Sequence, residues 1–105
     1  MIPKTLEETK LFLDKELSIE EKNKLIKSSK DDLSSFHHSL GRYIRNKFEL
    51  WGNGILFNNL KSIGLIHPDD MSSVIIESYW SYYNNVNFDL KSKIEYYKKH
   101  WSKNE

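Results

Sequence analysis

HPDDMSSVIIESYWSYYNNV, residues 67–86, is the stretch whose reading decides the fold. Pro68 can take the first helical position without loss, because the amide there has no helical partner in any case. Asp69 and Asp70 then fall in the first turn, where a carboxylate complements the helix dipole by about 0.3–1 kcal/mol. Beyond them Val74, Ile75, Ile76, Tyr79, Trp80, Tyr82, Tyr83 and Val86 take up most of a helical circumference. Only Ser73, Glu77, Ser81 and Asn84 leave a narrow polar strip. A helix that is apolar nearly all round belongs in the middle of a domain. The stretch predicts a central helix over about 69–85.

The rest of the chain supplies helices to cover it. TLEE (residues 5–8) and SIEE (residues 18–21) have the capping-box form, in which a hydroxyl and a glutamate satisfy orphan amides reciprocally. They predict helices over about 5–16 and 19–29. Leu33, Phe36, Leu40, Ile44, Phe48 and Trp51 recur at three- and four-residue steps and predict a long amphipathic helix over about 31–51, with Gly52 as its left-handed cap. Asn53 is placed to cap a short helix over about 54–63, with Leu56, Leu60 and Ile63 facing the core and Gly64 at its end. A last helix over about 89–102 aligns Leu90, Ile94, Tyr97 and Trp101 on one face. No stretch reads as a strand. The expectation is an all-α fold, a compact bundle of about five or six helices around the 69–85 helix, in one domain over 1–105.

Composition narrows the classes. The chain has 105 residues and a net charge of +1, and its 13% aromatic content predicts a core built on large rings. It has no cysteine, which removes disulfides and thiolate metal sites and agrees with a reducing compartment. MIPKTLEETK (residues 1–10) lacks the apolar run of a signal peptide, and no apolar stretch approaches the roughly 18–20 residues that span a bilayer. A cytoplasmic location away from membranes is therefore expected. Residues 36–66 carry four basic residues against Glu49 alone, which is mildly basic but far from a nucleic-acid footprint. FELWGNGILFNNLKSIG (residues 48–64) has the short turn of a helix-turn-helix, and Asn58, Asn59, Lys61 and Ser62 on its second helix could face bases, but the charge is too low and the motif alone is weak, so nucleic acid is not an expected partner. There is no phosphate-binding glycine loop, HExxH or nucleophile elbow. No cofactor and no metal are expected, and the balance points away from an enzyme.

Two polar groups remain as candidate sites. In HPDD, His67, Asp69 and Asp70 are accounted for as a helix start. The sharper alternative is a general base or metal ligand, for which further ligands at a diagnostic spacing are missing. In FHHSLGRYIRN (residues 36–46), His37 lies on the apolar stripe, whereas His38, Arg42, Arg45 and Glu49 run along another face. Arg45 and Glu49 are spaced to pair at i,i+4. Arg42 and Arg45 are the only arginines among sixteen basic residues. Their planar forks suit a carboxylate or phosphate, either Asp69 and Asp70 or an external anion.

FHHSLGRYIRNKFELWGN (36–53) followed by HPDDMSSVIIESYW (67–80) resembles a family of small bacterial helical proteins of unknown function. Its pattern is His-x-x-Leu-Gly-x-x-Ile-Arg-Asn, then Leu-Trp, then Asp-Asp-x-Ser with an aliphatic run. His37, Leu40, Gly41, Ile44, Arg45, Asn46, Leu50, Trp51, Asp69, Asp70, Ser72 and Ile75 match it, over a resemblance spanning about 3–86. Lys47 and Glu49 stand where the family pattern has Asn and Gly, and read as free surface positions. The resemblance implies no activity. It does imply that members are themselves small soluble partner proteins of the kind found near toxin or phage-defence genes, and it sets Arg45–Asn46 and Asp69–Asp70 at two ends of one polar constellation. Gly41, which costs about 0.5–1 kcal/mol mid-helix, implies a close contact with the 69–85 helix.

The leading expectation is a protein-binding module, an immunity-type or regulatory partner of a toxin or defence protein, contacting its partner through His38, Arg42, Arg45, Asn46, His67, Asp69 and Asp70. The alternative is a ligand or phosphate site, hydrolytic in one version, built on His37, His38, Arg42, Arg45, Asp69 and Asp70. Openness of the Arg–His–Asp cluster in a concave pocket would favour the second, and closure into internal salt bridges the first.

Overall fold

The computed structural model describes residues 2–102. Six α-helices run through them: α1 (Leu6–Glu16), α2 (Ile19–Lys27), α3 (Arg42–Lys47), α4 (Ile55–Ser62), α5 (Pro68–Tyr83) and α6 (Leu90–Ser102). No strand occurs among the described residues, and none of the helices is long and apolar enough to cross a membrane. α5 is the hub, with every other helical element packed on it. Met71, Val74, Ile75, Ile76, Tyr79 and Trp80 of α5 are buried, as are Leu13, Leu25, Ile44, Phe48, Leu56, Leu60 and Leu65 around it. The polar strip of α5 is tighter than its sequence suggests. Ser72, Ser78 and Ser81 are buried with the apolar residues, while Tyr82 and Val86 are exposed.

The helix starts follow the local signals with two departures, at Thr5 and at Asn53. Ser18 forms a full capping box with Glu21. Thr5 accepts from the Glu8 amide, but the Glu8 carboxylate takes the Lys4 amide instead of returning to Thr5, so that box is half made. Gly54, not Asn53, caps α4.

The long helix expected over 31–51 is three different turns. Lys30–Phe36 is 3₁₀, His37–Gly41 is a π turn and only Arg42–Lys47 is α-helical. It also ends sooner than the apolar stripe. The Leu50 amide donates to the Arg45 carbonyl at 2.9 Å and the Glu49 amide to Asn46 at 3.4 Å, with Glu49 at φ 54°. That is a Schellman motif with glutamate in the left-handed position that glycine usually takes. Gly52 is not the cap, and Glu49 is not a free surface position. Trp51, beyond the cap, leaves the stripe and is 61% exposed, while Leu50 turns in and is buried. Gly64 does end α4 as expected, at φ 117°, with the Leu65 amide on the Leu60 carbonyl. Ile63 is outside the core, 43% exposed. α6 crosses Gly64 so closely that a Cβ there would lie 2.7 Å from Ile94 Cγ2.

Candidate functional site

The two ends of the polar constellation meet, and then divide into separate clusters. Arg45 leaves α3 buried, 6% exposed, and points at the first turns of α5. Its Nη1 donates to Ser72 Oγ at 2.9 Å and its Nη2 to the His37 carbonyl at 3.3 Å. Its Nε faces Asp69 Oδ1 at 3.6 Å, an ion pair too long for a hydrogen bond, so Nε is buried without an acceptor. His37 Nε2 stands 3.9 Å from the other Asp69 oxygen. The expected Arg45–Glu49 pair does not form, because the guanidinium is spent on α5 and the π turn. Gly41 makes this possible. A Cβ there would lie 3.0 Å from Arg45 Nη1 and 3.6 Å from Ser72 Oγ, so the close contact inferred for Gly41 is with α5 through an arginine of its own strand of helix.

Asp70 belongs to the second cluster. It is buried, and Trp101 of α6 donates its Nε1–H to Asp70 Oδ2 at 2.8 Å. The Trp101 ring lies on His67, centroids 3.7 Å apart. His67 is the N-cap of α5 by backbone position, with no capping bond from its side chain. The HPDD segment is thus a helix start whose two carboxylates hold different neighbours: Asp69 holds α3 and Asp70 holds α6. Among the described residues no group of three or more metal-ligating side chains is gathered.

His38, Arg42 and Asn46 lie outside these clusters. All three are exposed, and they follow one another at four-residue steps. The His38 ring meets the His37 ring edge to face, centroids 4.9 Å apart. Asn46 accepts from Trp51 Nε1 at 2.7 Å, and the Arg45 guanidinium carbon lies 5.9 Å from the Trp51 ring centre. The exposed indole is therefore pinned from two sides by α3. Beside it is an open hollow of about 610 Å³ walled by Asn46, Glu49, Trp51 and the Gly52–Gly54 turn.

Sequence reasoning missed a third network. Asp14 Oδ1 accepts from the Tyr79 hydroxyl at 2.7 Å and the Tyr83 hydroxyl at 2.6 Å, and pairs with Lys22 Nζ at 3.1 Å. Lys22 also donates to the Tyr83 hydroxyl and lies over its ring. Partial burial pushes the Asp14 carboxyl up, but the bonds from Tyr83, Tyr79 and Lys22 together outweigh it and hold the group below its ordinary range. Burial first, and then the bond to Asp14, push the Tyr79 hydroxyl far up. The network joins α1 and α2 to α5 across more than sixty residues of chain, so nothing local announces it.

A family model described as Domain of unknown function (DUF6794) matches residues 2–83, which takes in α1 to α5 and stops before α6. No curated protein and no solved structure matches the chain.

Proposed function

The chain belongs to that family, whose function is unknown and lends it no activity; from the residues themselves we propose a small protein-binding module. One observation carries the reading. Trp51 is 61% exposed, yet its Nε1 is tied to Asn46 at 2.7 Å and its ring lies over Arg45. A large aromatic held still in solvent loses little freedom on binding and is the kind of residue that anchors an interface. Arg42 stands one turn from Asn46 on the same exposed face and supplies a guanidinium for register. The closed Arg45–Asp69–Ser72–His37 cluster favours this reading over a phosphate or ester site built on Arg45, since that guanidinium is buried and turned inward onto Ser72, the His37 carbonyl and Asp69. The specific version is an immunity-type or regulatory partner of a toxin or defence protein, which rests on the family resemblance of the His37–Trp51 and Asp69–Ile75 motifs.

The test is affinity capture from the native host with three baits: the wild-type chain, Trp51→Ala and Arg42→Glu. The purified protein is screened in parallel by thermal shift against nucleotides and inorganic phosphate. A partner retained by wild type and lost with both substitutions, at melting temperatures that show folded baits, supports the module. A partner indifferent to both substitutions, or a nucleotide or phosphate that raises the melting temperature instead, overturns it.

A further inference from the structure

A second concave feature lies away from Trp51, between the α1–α2 corner and the π turn. It encloses about 480 Å³, within the range of sites that hold a small molecule or a single side chain. Leu17, Phe36 and Leu40 line it and are only half-buried, so apolar surface is left open inside the cleft. Glu16 and Glu21 stand on its wall, each fixed through one oxygen. Glu16 Oε2 accepts from the Tyr43 hydroxyl at 2.7 Å, and Glu21 Oε1 accepts from the Ser18 amide at 3.0 Å. The second oxygen of each carboxylate has no hydrogen-bond donor among the described residues. Glu16 is also the last residue of α1, where the helix dipole adds to the negative potential. Among the described residues Lys24 is the one cation lining the cleft, against two carboxylates. Leu40 comes from the π turn, a distortion that recurs at functional sites.

We propose that this cleft receives a basic side chain of a partner protein, its aliphatic stem on Leu17, Phe36 and Leu40 and its cationic head at Glu16 and Glu21. An arginine or lysine is the side chain that offers an apolar stem and a charged end together. The site is independent of Trp51, and neither reading needs the other.

The experiment is a titration of the full chain followed by amide NMR. The probes are N-acetyl-arginine methylamide and its citrulline counterpart, which has nearly the same shape and no charge. The arginine compound should shift the Ser39, Leu40 and Tyr43 amides saturably below about 50 mM, the range of a one-side-chain contact. The citrulline compound should bind at least about fivefold more weakly, as removal of a charge-assisted contact at a partly open site implies. Glu16→Gln keeps an acceptor for Tyr43 and should weaken the arginine compound by a similar factor, whereas Lys24→Glu should tighten it. Equal binding of the two compounds, shifts confined to other residues, no saturable shift, or indifference to both substitutions each overturns the proposal.

Discussion

Replacing Glu49 by glycine should stabilise the protein, although it removes a charged surface residue. Glu49 sits at φ 54° in the Schellman turn after α3. A side chain in that conformation costs about 1–2 kcal/mol. Glycine gives back about 0.4–1 kcal/mol of this through the extra freedom of the unfolded chain. A carboxylate at a helix C-terminus is also opposed by the dipole, by about 0.3–1 kcal/mol. The net expectation for Glu49→Gly is a gain of about 1 kcal/mol, or roughly 4–8 °C in melting temperature for a domain of this size. Glu49→Ala keeps the backbone cost and loses only the charge, so it should gain a few tenths of a kcal/mol. Gly52→Ala makes the complementary test. A Cβ at Gly52 meets nothing within 4 Å and its φ is not left-handed, so alanine should be neutral or slightly stabilising. Urea denaturation of the three variants decides it. If Gly52→Ala loses about 1 kcal/mol while Glu49→Gly gains nothing, the helix ends at Gly52 and the turn described here is wrong.

Three further outcomes follow from the clusters. Arg45→Ala should cost about 2–4 kcal/mol in urea melts, below the full penalty for a buried pair because Asp69 is 60% exposed, while Arg42→Ala should change stability by less than about 0.5 kcal/mol. Trp101→Phe leaves the buried Asp70 carboxylate without its indole donor and should cost about 1–3 kcal/mol, most visible as faster amide exchange in α6. The Asp14 network predicts pH dependence at both ends. Asp14 titrates lower folded than unfolded, so its contribution is present above the ordinary value of 3.8 and fades as pH falls through the folded value; Asp14→Asn should flatten the acid limb of the stability curve. Tyr79 titrates higher folded than unfolded, so its contribution is present below 10.0 and is lost as pH rises beyond it; Tyr79→Phe should flatten the alkaline limb.

Much of the fold was legible because its signals are local. Ser18 and Glu21 are three residues apart, Pro68 fixes its own φ, and Gly64 takes the left-handed position that its lack of a Cβ allows. The apolar surround of Val74 to Tyr83 placed α5 at the centre without reference to any other segment. The misreadings fall where periodicity outlasts the helix. Trp51 and Ile63 keep the spacing of the stripes before them, but each stands past the last turn that could carry it inward. The identity of the residue in the left-handed position also misled, since glycine three residues on is the better local candidate, whereas it is Glu49 that lets Phe48 and Leu50 on either side both be buried. The Asp14 network and the Trp101–Asp70 bond were illegible for a different reason. The hydroxyls and the indole lie 31 to 69 residues from the carboxylates they meet, and a hydroxyl or indole N–H on an apolar face gives no sign of which carboxylate it will find.

The π turn is the place where local and distant demands meet. Residues 31–51 have the spacing of a regular α-helix, and in isolation nothing would widen it at His37–Gly41. Arg45 supplies the demand. Its guanidinium must lie flat beside its own helix to reach Ser72 on α5 and the His37 carbonyl together, and that path runs over position 41. Glycine removes the Cβ that would stand 3.0 Å from Nη1, and the i→i+5 pattern of a π turn loosens the carbonyl row so that His37 O can turn to a side-chain donor. Asp69, at the dipole end of α5, then balances the buried charge. Glycine, arginine, serine and aspartate in this motif therefore form one device that fixes α3 on α5. The same device underlies the contacts of the exposed Trp51: the helix that carries Asn46 and Arg45 beneath it is held to the hub. If Trp51 anchors an interface as proposed, this footing preorganises it, and substitutions at Gly41 or Ser72 should weaken binding through loss of that footing.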